Sequence, residues 1–76
     1  MTGWFFGVDE KRERFGVNLA HVTTVTLTPE KPKSPPVVTF FGEGDELLYT
    51  VKGKRAEKVW KQFHTFLEKM KEENNG

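Results

Sequence analysis

The sequence predicts an α+β domain in which an antiparallel meander sheet of four, or five, strands packs one face on a single C-terminal amphipathic helix. Two observations predict this class. Apolar residues recur at helical spacing only after Gly53, and the segments before Gly53 read as strands and turns. The 76 residues leave room for one domain, residues 1–76, whose core is small enough that its packing must be good.

The C-terminal helix is the most regular pattern in the chain. Its apolar residues fall at offsets 0, 3, 4, 7, 10, 11 and 14, as Ala56, Val59, Trp60, Phe63, Phe66, Leu67 and Met70. Gly53 precedes them as a permissive N-cap. We therefore predict a helix over residues 54–71, followed by a frayed tail over residues 72–76.

Five strands are predicted, over residues 3–8, 13–19, 22–28, 37–41 and 46–51. The turn DEKRE separates the first two and GEGD the last two, where glycine supplies the positive φ of a tight hairpin. The bend NLAHV lets the second and third segments form either two strands or one bent strand. All four prolines lie in PEKPKSPP, which is predicted to be a semi-extended surface loop. Sequential antiparallel pairing is the expected topology.

Alternation of residues gives each predicted strand an inward and an outward face. The first strand is predicted to point Phe5 outward, and its alternate residues inward, namely Trp4, Phe6 and Val8. The last hairpin is predicted to pair Phe41 with Glu46. This pairing directs five residues to the core, namely Val38, Phe40, Leu47, Tyr49 and Val51. The middle strands contribute Phe15, Val17, Leu19, Val25 and Leu27.

The outward face of the predicted sheet carries four apolar residues among threonines. They are Phe5, Val37, Phe41 and Leu48. If no second layer covers this face, the patch is typical of a homo-oligomer or protein-partner interface. The alternative is an ordinary solvent-facing sheet, in which threonine is favoured and single exposed aromatic residues are common.

The predicted strand order places basic and acidic residues at opposite ends of the sheet, although the net charge of the chain is only +1. One end of the sheet collects eight basic and four acidic residues, and the other end collects two basic and six acidic residues, giving +4 and −4. At the basic end the helix start and the proline loop form a candidate anion-binding group, namely Lys31, Lys33, Lys52, Lys54 and Arg55. The alternative is a solvated basic surface with no ligand.

Catalysis, metal binding and cofactor binding are not expected. There is no cysteine, and His21 and His64 are far apart in the sequence, so no metal-ligand spacing occurs. The only serine, Ser34, has no base beside it in the sequence. The N-terminal residues lack the basic region of a signal peptide, and no segment approaches the roughly 20 apolar residues of a membrane span. We expect a soluble, cytoplasmic protein that does not bind membranes.

These patterns leave two functions open. The first is a small non-catalytic interaction module that binds a protein partner and self-associates through the outward sheet face. The alternative is a single-stranded nucleic-acid-binding domain, in which Phe5 and Phe41 stack on bases and the basic end follows the phosphates. No nucleic-acid recognition motif occurs in the sequence, and the PxxP spacing of the proline loop also fits a ligand of an SH3-like groove.

Overall fold

The computed structural model describes residues 3–75 of the chain, and their side chains as far as residue 72. Five strands precede one helix: β1 (Trp4–Val8), β2 (Arg14–Asn18), β3 (Thr24–Thr28), β4 (Val37–Phe41), β5 (Leu47–Lys52) and α1 (Lys54–Asn75). Single 3₁₀ turns lie at Leu19–His21 and Glu43–Asp45. The α+β class and the order of its elements are as the sequence predicts.

The strands form two antiparallel sheets, so the single meander sheet is not confirmed. One sheet has the order β1-β2 and the other β3-β4-β5. The expected pairing of the second and third strands is absent because the 3₁₀ turn carries the chain past β5 and β4 before β3 begins. Leu19 is buried in this turn, and the side chain of Asn18 accepts a hydrogen bond from the Ala20 N–H (3.0 Å), which fixes its start.

β2 lies beside β5 without a backbone ladder among the described strand pairs. Side chains join the two sheets there. The rings of Phe15 and Tyr49 stack with centroids 4.6 Å apart, and the Tyr49 hydroxyl donates to the Asp9 carboxylate in the β1–β2 turn. The five strands therefore surround one core in the spatial order β1, β2, β5, β4, β3.

The predicted facing of the first strand is wrong. Phe5 is buried, whereas Trp4 and Phe6 point to solvent and Val8 is only half-buried. The reason is the register of the hairpin, which pairs Phe5 with Val17 and Gly7 with Phe15. Directly paired residues share a face, so the inward residues of β2 bring Phe5 inward with them.

Two glycines make this hairpin possible because each one receives the ring of its cross-strand partner. A Cβ on Gly7 would lie 2.9 Å from the Phe15 ring, and one on Gly16 would lie 2.8 Å from the Phe6 ring. The two rings lie on opposite faces of the same hairpin. Each ring covers a stretch of bare backbone, an arrangement that stabilises glycine within strands.

The last hairpin has a different register from the predicted one. Phe40 pairs with Tyr49, and a bulge at the turn places Leu47 opposite Phe41. Because the shift from the expected pairing is two residues, the predicted inward residues Val38, Tyr49 and Val51 keep their faces. Leu47 is the exception: the prediction that it is in the core is wrong, since it is 62% exposed beside the bulge.

The core is built from phenylalanine rings held between the sheets and α1. Phe5 contacts the rings of Phe15, Phe40, Phe63 and Phe66, with centroids 5.1 to 6.3 Å apart. Ala56, Val59 and Phe63 are the buried helix residues, as the apolar stripe predicts. Edge-to-face ring pairs add to the apolar area that these residues bury, which suits a chain without disulfides or metal.

The helix is longer than predicted. It begins after Gly53, whose φ is 76°, and continues through residues 72–75, which the sequence assigned to a frayed tail. Twenty-two residues make a helix of about 33 Å, whereas a five-residue strand spans about 17 Å. The end of α1 therefore projects beyond the sheets, which explains the 44 Å long axis of the molecule. Residue 76 lies outside the described residues.

Candidate functional site

The outer face of the three-stranded sheet, opposite the helix, holds three of the four residues predicted for a partner interface. Val37, Phe41 and Leu48 lie among outward threonines and are each half-buried. The bulge between β4 and β5 pairs Phe41 with Leu47 and leaves the next residue, Leu48, as the extra residue of β5, partly buried against the core. The fourth, Phe5, lies in the core with 3% exposure, so its assignment to the outer face is wrong.

Trp4 and Phe6 occupy the outer face of the two-stranded sheet. Trp4 is 51% and Phe6 is 72% exposed, and their rings are nearly parallel, 12° apart with centroids separated by 6.3 Å. Both rings rest on Gly16: the nearest Trp4 atom is 3.4 Å from the position a Cβ would take there. The pair is thus a flat aromatic surface supported by backbone and open to solvent.

A cavity between β2 and β5 connects the two parts of this face. It has a volume of about 240 Å³ and its lining includes Trp4, Gly16 and Leu48. Leu48 directly follows Leu47, the residue paired with Phe41, so four apolar residues follow one another in order across the two sheets. We call this series the outer apolar band: Phe6, Trp4, Leu48 and Phe41.

Sequence reasoning misses Trp4 and Phe6 because WFFGV has apolar residues on both faces of the strand. The face with more apolar residues is then the one predicted to point inward. The signal that places them correctly is the turn. Asp9 and Glu13 close it through a backbone hydrogen bond (2.9 Å), and counting back from that pair sets Phe5 opposite Val17. The inward facing of Val17, which the sequence does predict, then requires Trp4 and Phe6 to face outward.

The basic end is assembled from the three segments that the sequence assigns to it. The Lys52 N–H donates to Glu10 Oε2 (3.3 Å), the Gly53 N–H donates to the Pro36 carbonyl (2.9 Å), and Arg55 Nε donates to the Val8 carbonyl (3.1 Å). These bonds join the first hairpin turn, the proline loop and the helix start.

The five predicted anion-binding residues are not equally available at this end. Lys31, Lys33 and Lys54 are exposed, but Arg55 is partly buried and uses its Nε on the β1 backbone. The Glu10 carboxylate, next to Lys52, places negative charge at the centre of the group. An anion would therefore compete with a carboxylate, and the anion-binding role stays a prediction.

The proline loop is folded back on itself. Lys31 and Ser34 exchange two backbone hydrogen bonds, of 2.9 and 3.1 Å, so that Pro32 and Lys33 form the corner of a tight turn. This turn replaces the semi-extended loop expected from the sequence. A polyproline ligand must be extended, so the PxxP interpretation would require this turn to open.

Asp9 and Tyr49 form the most constrained polar group in the described structure. Asp9 is buried, and its Oδ1 accepts hydrogen bonds from the N–H groups of Lys11 and Glu13, both 2.9 Å. The Tyr49 hydroxyl lowers the pKa of Asp9, and the backbone N–H groups lower it further. The same hydrogen bond raises the pKa of Tyr49 to about 12. This pair supports the hairpin turn and holds it to the other sheet.

The two histidines line different pockets. His64 packs edge-on against Trp60, with ring centroids 4.6 Å apart, in a groove of about 260 Å³ between α1 and β3. His21 is in the 3₁₀ turn at the acidic end. Within residues 3–72, no three His, Asp or Glu side chains come close enough together to hold a metal ion.

α1 does not combine the length and the apolar character that crossing a membrane requires, and no other described helix does so. Comparison of the chain with protein-family models, with curated proteins and with solved structures gives no match.

Proposed function

We propose that this chain is a small non-catalytic interaction module that self-associates through its outer sheet face. The observation that carries the proposal is the outer apolar band, in which Trp4 extends to solvent beside Leu48 and Phe41. Tryptophan and phenylalanine supply large contact area at little conformational cost, and tryptophan is enriched at interface positions that dominate binding energy. Val37, further along β4, extends the apolar surface toward the basic end.

A second copy of the chain fits this face because of where the charges lie. Among the outward residues of the five strands, only Arg14 and Lys52 are charged, and both lie at the basic end. A two-fold axis that crosses the strands turns the second copy end over end. Arg14 and Lys52 of one copy then approach the acidic turn of the other, which includes Glu43 and Asp45, and avoid their own counterparts.

The threonines of the outer face favour the same arrangement. Their methyl groups pack at an interface and their hydroxyls form hydrogen bonds across it, without the desolvation cost of burying charge. The threonine-lined part of the face therefore adds little free-energy cost to association, and the apolar band supplies the attraction.

The test is the oligomeric state measured by sedimentation velocity over a range of protein concentrations. Phe41→Glu places a charge within the band and is expected to give a monomer at concentrations where the wild-type chain is a dimer. The matched control is Thr26→Glu, which places the same charge on an exposed, outward residue of β3. Thr26 pairs with Thr39 of the central strand β4 and lies away from the band. It is expected to weaken association less.

Far-ultraviolet circular dichroism of each variant establishes that it is folded. A wild-type chain that remains monomeric at the highest concentration contradicts the proposal. So does an equal loss of association in Phe41→Glu and Thr26→Glu, because the band would then contribute no more than the rest of the face.

A further inference from the structure

The two sides of α1 differ in charge although the helix is nearly neutral. The side toward β1 carries the series Arg55, Lys58, Gln62, Thr65 and Lys69, at alternating spacings of three and four residues. The side toward β3 carries Glu57, Lys61, His64, Glu68 and Lys71. The β1-side series has three cations and ends one turn beyond Lys69 in the carboxylate of Glu72, which leaves a net charge of +2, whereas two lysines and two glutamates cancel on the β3 side.

The β1-side series borders the exposed aromatic pair. An open groove of about 320 Å³ runs along the free edge of β1, and its lining includes Trp4, Phe6, Gln62 and Lys69. The hydrogen bond from Arg55 to the Val8 carbonyl holds this side of the helix against the strand. One helix cation, Lys69, and the flat rings thus line the same groove, and Lys58 lies on the same side of the helix nearer its start.

A further cation lies across the rings from the helix. Arg14 pairs with Val8 and faces outward, two residues from the Gly16 backbone on which Phe6 rests. Trp4 and Phe6 are therefore flanked by Arg14 on the sheet and by Lys69 on the helix. Of the carboxylates at the hairpin turn, Asp9 is buried and accepts from Tyr49, and Glu10 contacts the Lys52 backbone. Glu68 adjoins Lys69 in the chain but lies on the β3 side of α1.

We infer that this groove is a binding site for single-stranded nucleic acid. Unpaired bases present flat faces that stack on exposed aromatic rings, and the sugar-phosphate backbone between them needs cations on either side. A duplex keeps its base faces stacked internally and would use the cations alone. An acidic peptide would also use the cations alone, leaving the two parallel rings without a partner.

The dimensions of the groove suit a short strand. Lys58 and Lys69 are eleven residues apart, about 16 Å along the helix. This length corresponds to a site of roughly four nucleotides, at the lower end of the range for small single-strand-binding domains. Three phosphate contacts, by Arg14, Lys58 and Lys69, predict a salt slope of about −2 and roughly a twentyfold loss of affinity from about 50 to about 200 mM salt.

The site is separate from the candidate anion-binding group at the basic end. It also differs from the nucleic-acid surface that the sequence predicts, because Phe5 is in the core and Phe41 lies on the far side of β5 from the groove. The platform is formed by Trp4 and Phe6, and the phosphate-contacting cations lie on the helix and β2.

The experiment is fluorescence anisotropy of labelled oligo-dT, oligo-rU and a duplex, titrated with the full chain at both salt concentrations. The test variant is the double substitution Lys58→Glu and Lys69→Glu. Its matched control is Lys61→Glu and Lys71→Glu, which makes the same charge change on the β3 side of the same helix. Phe6→Ala removes the more exposed ring without touching the core.

We expect both single strands to bind at low salt, with at least tenfold weaker binding of the Lys58/Lys69 variant and less than a threefold change for the Lys61/Lys71 variant. Phe6→Ala is expected to weaken binding by at least fivefold, as the loss of one stacked base predicts.

Several outcomes overturn the inference. No binding of single strands at low salt does so directly. Equal effects of the two double variants would mean that only total charge matters. Equal affinity for the duplex, or for poly-glutamate at the same salt, would show that the rings take no part and would point to a general acidic partner.

The inferred site shares Trp4 and Phe6 with the outer apolar band, so self-association and oligonucleotide binding are expected to compete for these two rings. Phe41→Glu leaves the groove intact and keeps Trp4 and Phe6 free of a second copy, so it is expected to bind oligonucleotide at least as tightly as the wild type does. The Lys58/Lys69 variant leaves the outer apolar band intact and is expected to keep the wild-type oligomeric state. Failure of one proposal is therefore distinguishable from failure of the other.

Discussion

The hydroxyl of Tyr49, in β5, donates a hydrogen bond to Oδ2 of Asp9, the residue that closes the β1–β2 turn. Oδ1 of the same carboxylate accepts the two backbone N–H groups inside that turn. A single carboxylate therefore sets the shape of one hairpin and joins it to the other sheet. Two pH dependences of stability follow from this arrangement.

Acid is expected to destabilise the protein through Asp9. The pKa of this carboxyl is lowered from 3.8 in the folded chain, first by the Tyr49 hydroxyl and then by the turn N–H groups. Its contribution to stability is therefore present above pH 3.8 and is lost as the pH falls through the folded-state pKa. Urea midpoints measured from pH 7 downward should decline below about pH 4. Asp9→Asn should have a lower midpoint at pH 7 and a shallower decline, and an unchanged acid profile in this variant would contradict the assignment.

Alkali is expected to act through the same hydrogen bond with the opposite sign. The pKa of Tyr49 is raised from 10.0 to about 12, mainly because its hydroxyl donates to Asp9. The neutral phenol therefore stabilises the fold below pH 10, and this contribution is lost between pH 10 and about 12. Tyr49 is the only tyrosine, so phenolate absorbance reports it alone. Asp9→Asn should move the titration back toward pH 10, and a wild-type titration near 10 would show that the bond is not formed.

Phe5 and Phe6 are neighbours in the chain, but replacing each by alanine should have very different effects on the free energy of unfolding. Phe5→Ala removes a buried ring that contacts four others and is expected to cost about 3 to 5 kcal/mol of unfolding free energy. Phe6→Ala removes a ring that is 72% exposed but covers Gly16, and should cost no more than about 1 kcal/mol. Urea unfolding of both variants tests the facing of β1. Equal losses would mean that this facing is wrong.

Gly16→Ala is expected to disturb the exposed aromatic pair while leaving the fold intact. The new Cβ would lie 2.8 Å from the Phe6 ring, which can swing into solvent because it is exposed. The Trp4 ring should then lose its parallel neighbour and emit at a longer wavelength, measured with Trp60→Phe as the background so that Trp4 is the only tryptophan. Thr26→Ala, on the outer face of β3, serves as the control. An unchanged Trp4 spectrum would contradict the contact between Gly16 and Phe6.

The parts of the fold that follow from local periodicity could be predicted from the sequence. The helix stripe determines which residues of α1 are buried, and alternation determines the inward residues Phe15, Val17 and Val51. Periodicity does not determine which strands pair or in which register they pair. The facing of β1 depends on its register with β2, and the exposure of Leu47 depends on the bulge at the last turn.

The division into two sheets depends on the three residues Leu19–His21. A short bend between two strands is compatible with a hairpin, with a single bent strand or with a crossing to another part of the sheet. Leu19 selects the crossing because burial of its side chain turns the chain across the end of β5 and β4. That burial is a tertiary interaction, so no local pattern reports it. The candidate site could not be predicted for the same reason, since Trp4 and Leu48 line one cavity only because β2 lies beside β5.

The contact between β2 and β5 has a consequence for how the molecule opens. Because no described strand pair joins the two sheets, detaching the β1–β2 hairpin breaks only contacts that involve side chains. They include the contacts of Tyr49 with Phe15 and Asp9, those of Phe5 with Phe40, Phe63 and Phe66, and the hydrogen bonds from Arg55 to Val8 and from Lys52 to Glu10. The β1–β2 hairpin can therefore detach as a cooperative unit at a lower free energy than complete unfolding. Such partial opening would expose the phenylalanine core to solvent while every backbone hydrogen bond within each sheet survives, so the protein's resistance to proteolysis and aggregation depends on side-chain packing between this hairpin and the rest of the core.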